Sequence, residues 1–115
     1  MLHLYSALPR ESGDPGFFAL AFYVYILASQ RNGTLYIGHT DSISRRVWQH
    51  QDGDSPSFAH RYGVNRLVYY VVFETRSAAF RQERAMKKWR RAWKIELIER
   101  FNPGWKDISE DLPPE

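Results

Sequence analysis

The sequence predicts a small mixed α/β domain of the α+β type, in which a hairpin, a helix and one further strand precede a long helical region. Two segments rich in aliphatic and aromatic residues, Phe22 to Ala28 and Thr34 to Ile37, flank Ser29-Gln30-Arg31-Asn32-Gly33. The Asn-Gly pair favours a tight turn between antiparallel strands, so the segments pair and bring Tyr25 and Tyr36 side by side. A third dense segment, Leu67 to Phe73, is followed by residues whose apolar and basic positions separate with a helical period.

Residues 1 to 19 read as a leader, because Pro9, Gly13, Pro15 and Gly16 punctuate it and its mixed charges show no period. Its order is left open by the sequence. The domain is expected over residues 20 to 112, with 113 to 115 as a tail beginning at Pro113-Pro114. The apolar run from Phe17 to Ala28 is about half the length that a membrane-spanning helix needs, and it reads as a buried strand.

Beyond the hairpin, Thr40 or Asp41 can cap a helix running to Gln51. Within it Ile43 and Val47 share one side, and Arg46 and His50 form another pair one turn apart. Gly53, Pro56 and Gly63 mark the following stretch as loop. The β-branched and aromatic density of Arg66 to Glu74 argues for a central strand.

Ser77 is the expected cap of a helical region reaching Phe101, where Asn102-Pro103-Gly104 stops it. At about 100° per residue, Arg84, Lys87, Lys88, Arg91 and Lys94 fall on one side. Ala78, Ala85, Met86, Trp89, Trp93 and Leu97 fall broadly opposite. Glu96 interrupts the apolar stripe, which predicts a bend or break between Arg90 and Lys94.

A chain of 115 residues supports one core and one site. Its net charge of +3 and pI near 9.3 suit an anionic partner without requiring one. With no cysteine there is neither a disulfide framework nor a thiolate metal site or nucleophile. Met1 to Gly16 lacks the basic start and apolar block of a secretory signal, so no membrane association and a cytoplasmic location are expected.

Five pieces of the sequence stand in a telling order: Tyr23-Val24-Tyr25-Ile26-Leu27, Gly33-Thr34-Leu35-Tyr36-Ile37-Gly38, Arg45-Arg46-Val47-Trp48-Gln49-His50, Arg61-Tyr62-Gly63-Val64-Asn65-Arg66-Leu67-Val68-Tyr69-Tyr70, and Lys87-Lys88-Trp89-Arg90-Arg91-Ala92-Trp93-Lys94. Together they resemble the GIY-YIG nuclease superfamily, in particular its small stand-alone bacterial members of the excinuclease-C N-terminal type. The resemblance covers about residues 21 to 112. It implies a central three-stranded antiparallel sheet flanked by helices, and metal-dependent cleavage of a nucleic-acid phosphodiester.

By position, the resemblance makes Tyr36 the tyrosine beside the attacking water and the general-base candidate, and Tyr25 the one that helps place water or phosphate. Arg46 matches the helix arginine, whose fixed fork of donors suits the charge that builds on phosphate oxygens. Arg45 is the weaker neighbour, turned about 100° around the helix. His50 matches a histidine or tyrosine position, open between orienting the nucleophile and protonating the leaving group.

Glu83 matches the family's metal-binding carboxylate, which with water and phosphate oxygens fits Mg²⁺ or Mn²⁺. A phenol is a poor base at neutral pH unless cations lower its pKa, and Arg46 and the metal are the expected perturbers. The chain departs from the pattern with Tyr-Val-Tyr in the first motif and with His39 where relatives carry lysine or another residue. Asn102 is carried as a candidate for the asparagine that many members place after the glutamate.

Each residue also has a structural explanation. A strand tyrosine usually packs, Gly38 can end its strand through a positive φ angle, and Arg46 with His50 can form a solvated face. Glu83 can pair with Lys87 one turn on, and Glu74 is the rival carboxylate. Arg45 and the basic set Arg84, Lys87, Lys88, Arg91 and Lys94 are the expected nucleic-acid contacts, although such a helix face also serves solubility.

The expected function is a metal-dependent endonuclease acting on DNA before RNA, on structured or single-stranded substrate. DNA repair, recombination and mobile-element roles enter only as analogies of fold. The alternatives are a nucleic-acid-binding module with the same fold and little activity, and a module that becomes active with a protein partner.

Overall fold

The computed structural model describes residues 21–51 and 62–112. The expected leader and tail, and the Gly53 and Pro56 part of the loop, lie outside the described residues. Strands β1 (Phe22–Ala28), β2 (Leu35–Thr40) and β3 (Arg66–Phe73) form an antiparallel sheet in the order β2-β1-β3. Helices α1 (Ile43–Gln51), α2 (Arg76–Lys88) and α3 (Arg91–Phe101) cover it, and a 3₁₀ turn at Ser109–Asp111 closes the described chain.

The central strand is therefore β1, not β3 as its residue density suggested. From Tyr23 to Ala28 every side chain of β1 is buried, because both faces of the sheet are covered. Alternation divides the core into two halves. Val24, Ile26 and Ala28 pack with Ala79, Met86, Ile98 and Trp105, while Tyr23, Tyr25 and Leu27 pack with Ile43 and Val47.

The register of β3 against β1 shifts between Ile26 and Leu27: Ile26 pairs with Tyr69 and Leu27 with Leu67. Val68 is the extra residue of this bulge, and both Val68 and Tyr69 join the same core half. Asn102, the C-cap of α3, donates from Nδ2 to the Val68 carbonyl at 3.2 Å and to the Lys106 carbonyl at 2.8 Å. Its Oδ1 accepts the Lys106 N–H, so its hydrogen-bonding capacity serves the bulge and the turn after α3.

At the hairpin turn Asn32 takes the left-handed conformation with φ 58°, as an Asn-Gly pair favours. The second strand runs further than expected, through Gly38 and His39 to Thr40. Thr40 caps no helix; its Oγ1 accepts the Ser42 N–H, and α1 starts at Ile43 with the Ser42 carbonyl accepting from Arg46. The α2 cap is Thr75 rather than Ser77, its hydroxyl accepting the Ala78 N–H at 3.1 Å.

The long helical region breaks at Trp89 and Arg90, both extended, at the edge of the expected window. This break ends the single basic stripe drawn through both halves. Arg91 instead donates to the Asn32 and Gly33 carbonyls, tying α3 to the hairpin turn. Trp93 and Ala85 are exposed, and the buried face of α2 is Ala79, Glu83 and Met86.

Trp105, beyond the helix stop, is fully buried despite a left-handed φ of 54°. Its indole N–H donates to Glu99 and its carbonyl accepts from Arg66, which together fix that backbone. Trp105→Ala is expected to lower stability by about 3–5 kcal/mol, a value read directly from chemical denaturation.

Candidate active site

Tyr25 and Tyr36 meet because β1 and β2 pair Tyr25 with Gly38 and Leu27 with Tyr36, which puts both phenols on the α1 side of the sheet. Their ring centroids lie 6.2 Å apart. His50 closes the group: its ring is 5.2 Å from Tyr36 and 6.1 Å from Tyr25, with Nε2 3.3 Å from the Tyr25 hydroxyl. Unlike a residue on a solvated helix face, His50 is buried alongside Ile43 and Val47, whereas Arg46 and Arg45 remain exposed.

Gly38 does not end its strand, and its φ is not in the left-handed region. Space is the requirement here. A Cβ at Gly38 would stand 2.6 Å from the Tyr25 hydroxyl oxygen and 2.8 Å from its Cζ, so the Tyr25 ring lies directly over the glycine backbone.

Burial, the largest effect, together with Tyr36 drives the Tyr25 pKa upward, while Arg46 pulls it down without prevailing. Tyr25 is thus a neutral hydrogen-bonding phenol, in keeping with its expected part in placing water or phosphate. Tyr69, in the opposite core half, is pushed up to about 12 by burial alone.

Glu83 comes from the buried face of α2 and reaches the second half of the site through His39. His39 Nδ1 donates to Glu83 Oε1, and Lys87 Nζ contacts Oε2 at 2.6 Å. Burial pushes the Glu83 carboxyl up, but the hydrogen bonds and charges of Lys87 and His39 outweigh it and hold the carboxyl below its ordinary range. Glu83 is also felt electrostatically at the Tyr25 phenol. Gly38 and His39 are consecutive residues, one under Tyr25 and the other on Glu83, so the edge strand joins the two halves.

The pairing of Glu83 with Lys87 and its place beside a tyrosine site therefore coexist. Glu74 is exposed where β3 ends. Among the basic candidates, Arg84, Lys87 and Lys88 are exposed, and Lys94 Nζ lies 3.5 Å from the Lys87 carbonyl. His39 bonds the carboxylate directly, while Asn102 is occupied with the bulge.

One neighbour of the site had no place in the sequence reading. Phe80, one turn before Glu83 on α2, is 44% exposed with its ring 5.6 Å from His39 and the Arg84 guanidinium 5.5 Å above it. The signal was its spacing of three from Glu83 and four from Arg84, which puts all three on one helix face.

Residues 21–96 match the GIY-YIG catalytic domain. A UPF0213 protein of the archaeon Haloquadratum walsbyi is 35% identical over 77 residues, spanning 67% of this chain and 85% of its own. One from Staphylococcus saprophyticus is 32% identical over 76 residues, spanning 66% of this chain and 92% of its own. The solution NMR structure of a UPF0213 protein from Bacillus halodurans covers 79% of this chain and 96% of its own, at 27% identity and a TM-score of 0.49.

Proposed function

The chain belongs to the GIY-YIG family, and we propose that it is a metal-dependent endonuclease that hydrolyses phosphodiester bonds in DNA. The observation that carries this reading is the convergence of Tyr25, Tyr36 and buried His50 on one side of Gly38, with the buried Glu83 carboxylate joined to the same strand through His39. No helix among the described residues is long and apolar enough to cross a membrane.

Tyr36 is the phenol beside the attacking water and the base candidate. Tyr25, kept neutral by burial, donates a hydrogen bond to water or a phosphate oxygen. His50 is buried next to both rings, which favours orienting the phenols over protonating the leaving oxygen. Arg46 stands exposed at the rim, where its fork of donors can stabilise charge developing on phosphate oxygens.

The donor set tests the metal. Among the described residues no three His, Cys, Asp or Glu side chains cluster as a cation cage. Glu83 is anionic, buried and a hard oxygen donor, which fits Mg²⁺ or Mn²⁺ held by one carboxylate, water and substrate phosphate. Such an ion supplies Lewis-acid stabilisation of phosphate charge. His39 and Lys87 hold the carboxylate ionised and oriented.

The test is cleavage of labelled duplex, single-stranded and branched DNA, with an RNA control, in Mg²⁺, Mn²⁺ and EDTA. Products are expected with metal, absent in EDTA, and reduced by about two orders of magnitude or more in Tyr36→Phe. Equal product from wild type and Tyr36→Phe would remove the assignment. Lys87 and His39 on the two Glu83 oxygens favour one second reading, a binding module whose carboxylate stays capped; it predicts DNA binding without product in any metal, or product only with a protein partner.

A further inference from the structure

Phe80, Glu83, Arg84 and Lys87 occupy a stripe of α2 at spacings of three and four, and so lie within about 100° of one another around the helix. On an amphipathic helix such a stripe is normally an apolar, buried one. Here Glu83 alone is buried; Phe80 is 44% exposed, and Arg84 and Lys87 are exposed. The exposed phenylalanine is also fixed, with His39 edge-on at 5.6 Å and Arg84 at 5.5 Å from its ring centroid.

His39 is the residue that touches both Phe80 and Glu83, so this ring borders the carboxylate rather than some remote surface. An aromatic ring held at a site rim, with a guanidinium that can itself stack and cations beside it, matches one chemistry. That chemistry is a nucleobase stacked on the ring while its backbone phosphates run past the cations. A base still paired within a duplex keeps its faces against its neighbours and cannot stack on protein.

We propose that Phe80, with Arg84 and His39, is a stacking platform for an unpaired nucleobase flanking the phosphate at the Glu83 site, which makes single-stranded or locally melted DNA the favoured substrate over uninterrupted duplex. The inference rests on the phosphodiester reading of the site and names its substrate class. Phe80 acts as a positioning residue.

Fluorescence anisotropy in EDTA at fixed salt tests it without turnover, using one labelled sequence as single strand, as duplex and as duplex with a central mismatched bubble. Phe80→Leu is expected to weaken single-strand and bubble binding about tenfold, the loss of one base–aromatic stack, with duplex affinity unchanged. Phe80→Trp is expected to restore the preference. Trp48→Leu serves as the control, since that exposed tryptophan lies on the opposite side of α1 from Arg46 and is expected to change nothing.

Equal weakening of all three DNA forms by Phe80→Leu, no weakening of any, or the same loss from Trp48→Leu would overturn the proposal. Cleavage is read separately. A Phe80-dependent preference without product in any metal leaves the platform and removes the nuclease, whereas product from a chain whose binding ignores Phe80 does the reverse.

Discussion

Glu83→Gln is expected to lower metal-dependent cleavage on the order of a thousandfold while leaving the fold intact. The amide keeps the shape and an oxygen that can accept from His39, but it lacks the charge that a hard divalent cation requires. Lys87 loses its partner yet is about half exposed, so its ammonium hydrates at little cost. Glu83→Ala is the blunter change, because it also leaves the half-buried His39 N–H without an acceptor.

The linkage has a definite sign. The Glu83 carboxyl is held below its ordinary value of 4.5, so its ion pairing contributes stability above that pH and is lost as pH falls through the folded-state value. Denaturation of wild type and Glu83→Gln should therefore diverge at neutral pH and converge in acid. Initial rates at saturating DNA and metal give the catalytic effect. Cleavage by Glu83→Gln at the wild-type rate, with the same metal dependence, would remove the carboxylate from the mechanism.

Much of this site was legible because its parts are local. The Asn32-Gly33 turn set the strand pairing, and that pairing alone carried Tyr25 and Tyr36 to one face. The helical spacing of Ile43 with Val47 and of Arg46 with His50 was visible too, but the burial of His50 beside the first pair was not. His50 goes inward because the neighbouring rings cover it, which no helix pattern reports.

Long-range contacts account for the rest. Whether β1 or β3 is central depends on what covers each face, which the residue density that pointed to β3 does not report. Trp105 is core only because the chain folds back after α3, and Arg91 leaves the basic stripe because the helix breaks two residues earlier. The His39–Glu83 bond joins residues 44 positions apart. Phe80 was overlooked because a phenylalanine in a helix normally reads as core, although its spacing from Glu83 and Arg84 was there to read.

Gly38→Ala is expected to cost about 1–3 kcal/mol of stability, the usual range for overpacking a filled core, and to lower cleavage roughly a hundredfold. The new methyl would stand 2.6 Å from the Tyr25 oxygen and 2.8 Å from Cζ, inside any tolerated contact, and 3.1 Å from Tyr36 Cε1. A flexible side-chain end could swing away, but Tyr25 is 1% exposed and its ring lies against Tyr36 and His50. Relief must come from displacing the ring or opening the β1–β2 pair. Either movement takes the phenol from its position beside His50 and shifts His39, the residue that follows, against Glu83.

Stability and activity therefore fall together in Gly38→Ala through one displaced ring, whereas in Glu83→Gln the loss of activity comes from the missing charge and only the ion-pair contribution to stability goes with it. A second substitution sharpens the cause: Tyr25→Phe removes the oxygen that the methyl would strike first, so the double variant is expected to regain part of the lost stability and none of the activity. The comparison needs denaturation curves for the two single variants and the double, with the coupling read from the cycle. Strict additivity would mean that the methyl does not press on the phenol, and that Gly38 is required by the edge strand rather than by the site it supports.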